Sequence, residues 1–257
     1  MQIPHIRFWN GNKSTPRRMY EKALIAMCLQ HAEIGDFSLH IDETDYPKPE
    51  DEGQILDSKC DVLVTVEGNS KFAGQSFIKI DTPLCNDLLS HRLCIIRSDK
   101  QDVFSVELTD SKLRRLKAGI PATWADADIL RYNECHVVEQ GDLNHILEAI
   151  HKGDCDYIPL GAIEIEAIMA SGFGNQNALT IEANHIIHYP LPLVFYVAPR
   201  RPELVSIIEF GLNRAMSSGD FQQLFEHHFP SVKSRLNLAT RKIHTFSNPK
   251  LTDKSVN

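Results

Sequence analysis

Between Asp61 and Val66 the chain reads DVLVTV, and no other short run limits the fold as much. Val62, Leu63, Val64 and Val66 leave no polar alternation for a solvent-facing side, so a strand here is covered on both faces. That is the condition of a strand inside a parallel α/β sheet. Gly68 and Asn69 bound the run. Upstream, Ile3–Trp9 reads as a strand and Asn10–Thr15 as a loop. Pro16 then suits the first turn of a helix, whose amide would be unpaired there anyway. In that helix Tyr20, Leu24, Met27 and His31 share one face, Phe37–Ile41 alternates as a second strand, and Glu50–Ser58 is a short acidic helix.

A second α/β series follows an extended stretch at Leu93–Ile96. It holds a short helix with Leu113 and Leu116, a strand and loop at Ile120–Thr123, a helix at Asp126–Tyr132 and a strand at Cys135–Glu139. Asp142 caps the next helix, in which Leu143, Ile146, Leu147 and Ile150 fit the helical template, and Gly153 closes it. A strand at Asp154–Ile158, a tight loop at Pro159–Gly161 and a helix at Ala162–Ala170 come next. Leu191–Ala198 returns to extended structure. An amphipathic helix then buries Leu204, Ile207, Ile208, Leu212 and Ala215, Asp220 caps a helix over Phe221–Phe229, and the tail is polar and loop-rich.

Two α/β series with extended crossings near residues 93–97 and 191–198 predict two lobes. The first spans 1–97 plus 192–257 and is discontinuous, with lobe 2 inserted over 98–191. Open α/β sheets take ligands at the carboxyl ends of their strands, so the loops after each strand line the site. Trp9 and Asn10 end the first strand, where an aromatic can stack on a ligand and an amide can orient it. The alternative for Trp9 is plain core packing.

The 257 residues carry 27 Lys and Arg against 34 Asp and Glu, a net charge of −7, which argues against nucleic acid as the main partner. Nothing approaches the roughly 18 apolar residues of a membrane-spanning helix. The opening MQIPHIRFWNGNKS lacks a secretory signal's basic region, apolar core and cleavage site, so the chain reads as intracellular or as a mature form. Nine acids crowd Glu33–Asp57 against Lys48, and six bases crowd Ser231–Asn257 against Asp253; the two stretches either face each other or, as charge runs usually do, form solvated faces. The six cysteines lack CxxC or zinc spacing and read as buried free thiols. Among twelve histidines, the pairs His185 with His188, His227 with His228, and Cys135 with His136 fit no metal-ligand frame. GNKST before the first helix fails the phosphate-loop pattern, leaving Ser14 and Thr15 as minor anion contacts. No cofactor motif and no catalytic motif appears.

Several segments, in order, carry a resemblance. They are Asp61–Thr82 with Pro83 and Leu84; Leu88, Leu89 and Arg92; Trp124, Asp126 and Leu130; Gly153, Asp156, Tyr157, Pro159, Gly161 and Glu164; Gly211, Leu212, Gly219, Phe221 and Phe225; and Asn248 with Pro249. Together they resemble the type II periplasmic solute-binding proteins of ABC importers, in the polar amino acid branch. The resemblance implies a two-lobed α/β fold with a two-strand hinge. It also implies a periplasmic monomer that captures a small polar solute in an interlobe cleft and hands it to a membrane permease or receptor.

By the same resemblance, Thr123, Trp124 and Asp126 close on the ligand from the second lobe, unless Thr123 or Asp126 merely caps the helix there. Tyr157 and Glu164 flank the Pro159 loop, and Arg92 either meets ligand or braces the crossing strands. The loop after the third strand departs from the pattern. Such binders place a Ser/Thr and a carboxylate-forking arginine there, whereas this chain has Glu67, Gly68, Asn69, Ser70 and Lys71. Pro159 is likewise followed by Leu160 where an arginine is usual. Lysine is a point charge and Glu67 repels a carboxylate, so Glu67 is the better partner for a ligand ammonium. A cationic, neutral or aromatic solute fits this pattern as well as an amino acid. The alternatives are a stand-alone sensing module and an enzyme on the same fold, such as a dehydratase.

Overall fold

The two-sided burial expected of the third strand is realised: Val62, Leu63 and Val64 are each fully buried. The computed structural model describes residues 5–171 and 178–251. Ile3, expected at the start of the first strand, and the other residues of the N-terminal stretch before His5 lie outside the described residues. In chain order the first elements are β1 (His5–Trp9), α1 (Thr15–His31), β2 (Ser38–Asp42), α2 (Pro49–Gly53), α3 (Ile55–Ser58), β3 (Val62–Val66) and β4 (Ile78–Ile80). There follow β5 (His91–Arg97), α4 (Asp110–Arg115), β6 (Ala118–Ile120), α5 (Ala125–Tyr132), β7 (Val137–Glu139), α6 (Leu143–Lys152), β8 (Tyr157–Gly161) and α7 (Ile165–Ala170). The last are β9 (Leu179–Ile181), β10 (His185–His188), β11 (Leu193–Val197), α8 (Glu203–Ser218), α9 (Asp220–His228), α10 (Val232–Arg235) and β12 (Lys242–Thr245).

The chain divides into two compact units. Unit 1 holds the chain up to Val66, Lys71–Cys85 and Leu193–Pro230; unit 2 holds Glu67–Ser70, Asn86–Pro192 and the chain from Ser231 on. These bounds differ from the expected 1–97 plus 192–257 and 98–191 at three segments: Glu67–Ser70, the stretch from Asn86 to Arg97, and the chain from Ser231 on all fall in unit 2. The extended stretch at Leu93–Ile96 is β5, which pairs with β8, β9 and β10 inside unit 2 and is therefore a sheet strand rather than a crossing. The tail is not all loop: β12 pairs with β10 and so belongs to unit 2 as well.

Unit 1 has a five-stranded sheet in the order β2-β1-β3-β11-β4. β1, β2 and β3 run parallel, and β11 runs antiparallel to β3 and β4. α1 begins at the expected proline, but its buried face is Tyr20, Glu21, Leu24, Ile25, Cys28 and Leu29, so Met27 and His31 sit off it. α8 packs on that helix through Gly211, where a Cβ would lie 1.8 Å from the Cys28 carbonyl oxygen. Asp61, just before β3, pins the amino ends of the sheet. Its carboxylate accepts from the Arg7 amide at 2.9 Å and from Arg200 at 2.8 Å, and Arg201 lies 2.9 Å away. Burial works to raise the Asp61 pKa, but the Arg7 hydrogen bonds and the charges of Arg201 and Arg7 outweigh it and hold it below the ordinary aspartate value.

Unit 2 has a sheet in the order β12-β10-β5-β8-β6-β7, with β9 also on β5. β6 runs parallel to β7 and β8, while β5 runs antiparallel to β8 and β10. α6 is capped as expected, Asp142 accepting from the His145 amide at 2.9 Å and Gly153 closing the helix at φ 86°. All six cysteines are buried free thiols, and burial pushes Cys28 and Cys60 up to about 12.

Two outcomes test this packing. Gly211→Ala forces α1 and α8 apart and lowers stability by about 1–3 kcal/mol, read from the urea midpoint. Asp61→Asn costs about 2–4 kcal/mol at neutral pH, a buried ion-pair loss reduced by the partial exposure of its arginines. Because the folded Asp61 pKa is depressed, this contribution is complete above about pH 4 and fades as pH falls through the lower folded value, so the difference between wild type and Asp61→Asn shrinks in acid.

Candidate functional site

The parallel strands of each unit end in a loop-bearing edge, and these edges hold most of the residues expected to bind ligand. In unit 1 the edge follows β1, β2 and β3. Trp9 is buried at 1% exposure in a cluster with Ile55, Leu63, Phe72 and Tyr196, and its indole N–H donates to the Thr44 carbonyl at 2.9 Å. That is the packing alternative, so Trp9 offers no open face for stacking. Asn10 is also committed: its amide nitrogen donates to the Arg18 carbonyl at 2.8 Å, and its side-chain oxygen lies 3.4 Å from the Lys13 ammonium.

The charges along this edge are paired. Lys13 is nearly buried, 2.5 Å from Glu21, and burial lowers its pKa against the opposing pull of that carboxylate. Lys71 is paired with Glu52 at 2.8 Å, and Asn12 donates to the same carboxylate at 2.5 Å. Lys71 therefore holds an internal acid rather than standing in for a carboxylate-forking arginine. Glu67 and Asn69 are half-buried in the turn after β3, at the left-handed Gly68, and the Glu67 amide donates to the Pro192 carbonyl at 2.9 Å. These two residues fall in unit 2, whereas Lys71 falls in unit 1.

In unit 2 the edge follows β6, β7 and β8: Arg92 meets Asp126 and faces Glu164, and Thr123 and Trp124 lie on the loop that leads into the helix carrying Asp126. Arg92 and Asp126 form a buried ion pair at 2.5 Å, and the Tyr189 hydroxyl donates to the same Asp126 oxygen at 2.5 Å. Arg92 also donates to the Leu89 carbonyl at 3.1 Å and the Pro159 carbonyl at 3.3 Å. Burial opposes the guanidinium charge, but Asp126, Tyr189 and Glu164 more than offset it and raise its pKa. Gly161 fits close against this cluster: a Cβ there would lie 2.6 Å from the Leu89 side chain and 3.3 Å from the Arg92 guanidinium.

Neither Thr123 nor Asp126 caps α5. Trp124, half-buried, holds the N-cap position without a side-chain cap, and Asp126 turns inward from the first turn. Thr123 sits at φ 70° and its amide donates to Glu139 at 2.9 Å. A β-branched residue in the left-handed region costs about 1–3 kcal/mol, and such strain gathers at functional loops. Glu139 also pairs with Arg131 at 2.7 Å.

Tyr157 is a correction. β8 runs on to Gly161, so Pro159 and Leu160 are strand residues and Tyr157 begins the strand, at the end away from the loops. It is fully buried against Phe104, its hydroxyl has no hydrogen-bond partner among the described residues, and burial raises its pKa. The proline is tolerated because β8 pairs with β6 only at Tyr157. Sequence reasoning missed Glu139, Glu52 and Tyr189. Glu139 ends β7, so the strand-end rule applied to that strand finds it; Glu52 and Tyr189 carry no such signal.

No protein-family model and no curated protein matches the chain's sequence. Solved structures do match its fold. An amino acid ABC transporter substrate-binding protein from Streptococcus pneumoniae bound to L-arginine aligns at a TM-score of 0.63 and 7% identity, over 87% of this chain and 93% of that one. A periplasmic His/Glu/Gln/Arg/opine family-binding protein from Silicibacter pomeroyi in complex with lysine aligns at 0.62 and 11%, over 87% and 96%. The VFT2 domain of Bordetella pertussis BvgS aligns at 0.64 and 16%, over 87% and 93%. The chain has the type II periplasmic-binding-protein fold.

The unit 2 cluster makes one stability prediction. Asp126→Asn preserves the shape and an acceptor for Tyr189 but leaves the Arg92 charge buried beside Glu164 alone. Unfolding measured in urea registers a loss of about 3 kcal/mol, whereas Glu164→Gln, at a half-buried position, costs under about 1 kcal/mol.

Proposed function

We propose that this protein is a periplasmic solute-binding protein that captures a small polar solute, an amino acid or related amine, as a monomer, and passes it to a membrane permease or receptor. One observation carries the reading. On this fold, Arg92, Thr123, Trp124, Asp126 and Glu164 gather at the loop-bearing edge of unit 2, where open α/β sheets take their ligands. Trp124 supplies an aromatic face, Thr123 a hydroxyl beside a strained backbone, and Glu164 a carboxylate suited to an ammonium group. Glu67 and Asn69, on the loop after β3, add a second carboxylate and an amide.

The pairing of Lys71 with Glu52 and of Arg92 with Asp126 favours a ligand that brings positive charge or none. A purely anionic solute would have to compete with an internal carboxylate for either cation. Two of the structures similar to this chain in fold are named as binding proteins, which supports capture and release of an unchanged solute over turnover.

A thermal-shift panel of basic, neutral and acidic amino acids, polyamines and organic acids tests the proposal. A cationic or neutral amine at 100 times its dissociation constant adds about 2.7 kcal/mol of stability, and dicarboxylates add none. Trp124→Ala and Glu164→Gln reduce the shift. Silence across the whole panel, or mass-spectrometric conversion of the stabilising compound, defeats the reading.

A further inference from the structure

Asp87, His91 and His188 form a side-chain cluster in unit 2 that the solute-binding reading does not use. Their metal-ligating atoms all lie within 4.8 Å of one another. His91 and His188 are register partners on the antiparallel strands β5 and β10, so their side chains share one face of the sheet. Their ring centroids stand 5.0 Å apart at an interplanar angle of 72°. Asp87 reaches the same spot from the turn before β5, where Asn86 and Asp87 are successive left-handed residues at φ 48° and 61°. That turn folds the carboxylate back over the residue four positions on. The result is a carboxylate oxygen 2.9 Å from His188 Nε2 and 3.6 Å from His91 Nδ1.

We propose that Asp87, His91 and His188 bind a divalent transition-metal ion of the zinc class, with two imidazoles, one carboxylate and a fourth position open to solvent or a further ligand. Zinc bonds of about 2.0–2.1 Å at tetrahedral angles require ligand atoms about 3.3 Å apart. The two distances to the Asp87 oxygen fall either side of that value. Imidazole and carboxylate donors in a three-ligand set suit zinc and its neighbours rather than calcium or magnesium. The site has an entry path, because Asp87 is exposed and the two imidazoles are 23% and 24% exposed. His91 Nδ1 also lies 2.9 Å from the Asp87 carbonyl oxygen, a contact that coordination of that nitrogen replaces. Among the described residues, no other group of three His, Cys, Asp or Glu side chains brings its ligand atoms this close together. The sequence hides the site because neither histidine spacing nor any ligand frame connects residues 87, 91 and 188.

The test is titration of the full chain with Co²⁺, followed in the visible spectrum, and with Zn²⁺ in competition with a chromophoric chelator. The expected result is one ion per chain, with the intense bands of four-coordinate cobalt that zinc displaces. His91→Ala, His188→Ala and Asp87→Asn each weaken zinc binding by about tenfold or more. His40→Ala, on the exposed His5 and His40 pair of unit 1, leaves it unchanged. Asp87→Asn keeps the residue's size, so it decides the matter if an alanine variant fails to fold by circular dichroism in chelator. Absence of binding, binding retained by the His91→Ala/His188→Ala double variant, or binding lost in His40→Ala overturns the assignment.

Discussion

The buried ion pair between Arg92 and Asp126 is the interaction on which unit 2 depends. It joins β5 to the first turn of α5, and through the Tyr189 hydroxyl it reaches the chain just past β10. Two charges taken out of water return little net stability by themselves, yet losing either one leaves the other uncompensated. The pair therefore works as a positional constraint. With Asp126 held inward, α5 starts at Trp124, and the loop before it is drawn into the left-handed turn at Thr123. The same guanidinium meets the Pro159 carbonyl, so the end of β8 and the start of the Glu164 helix are set by one side chain.

Unit 1 solves the same problem with more pairs, some of them as buried as Arg92 and Asp126. The loops after β1 and β3 are rich in charge, and the charges are matched locally: Lys13 with Glu21, Lys71 with Glu52, Arg18 with Asp45. The acidic run from Glu33 to Asp57 is thus only partly a solvated face, since Asp45 and Glu52 have cationic partners in their own unit. The basic tail behaves alike, with Arg235 on Glu166, Arg241 near Glu182 and Lys250 near Asp128, all within unit 2. Charge runs that look undirected along the chain become specific when the backbone brings opposite signs within 4 Å.

Much of the architecture was legible because it rests on local rules. The apolar β-branched run marked β3, the proline marked the start of α1, and Asp142 with Gly153 bracketed α6 because a carboxylate caps free amides and glycine takes the left-handed closing turn. Periodicity failed where a helix buries a face for reasons its own sequence does not state. α1 turns Glu21 and Cys28 inward to meet Lys13, Arg17 and α8, and Met27 and His31 lose their expected places. β9 and β10 and the tail strand β12 were missed because their pairing partners are remote in sequence. Tyr157 was misplaced by a proline read as a loop, since nothing local shows that β8 pairs with β6 only at Tyr157 and so leaves Pro159 unpaired on that side.

What the sequence determined by itself was the α/β class, two units and the strand ends at which a site belongs, because two-sided burial, caps and strand-end loops depend on neighbours a few residues away. Tertiary structure alone decided that Trp9 and Tyr157 are core, that Lys71 and Arg92 are already paired, and that Asp87 meets His91 and His188. Those outcomes depend on strand register and on which opposite charge arrives within a few ångströms, and both are settled by contacts between segments up to about a hundred residues apart.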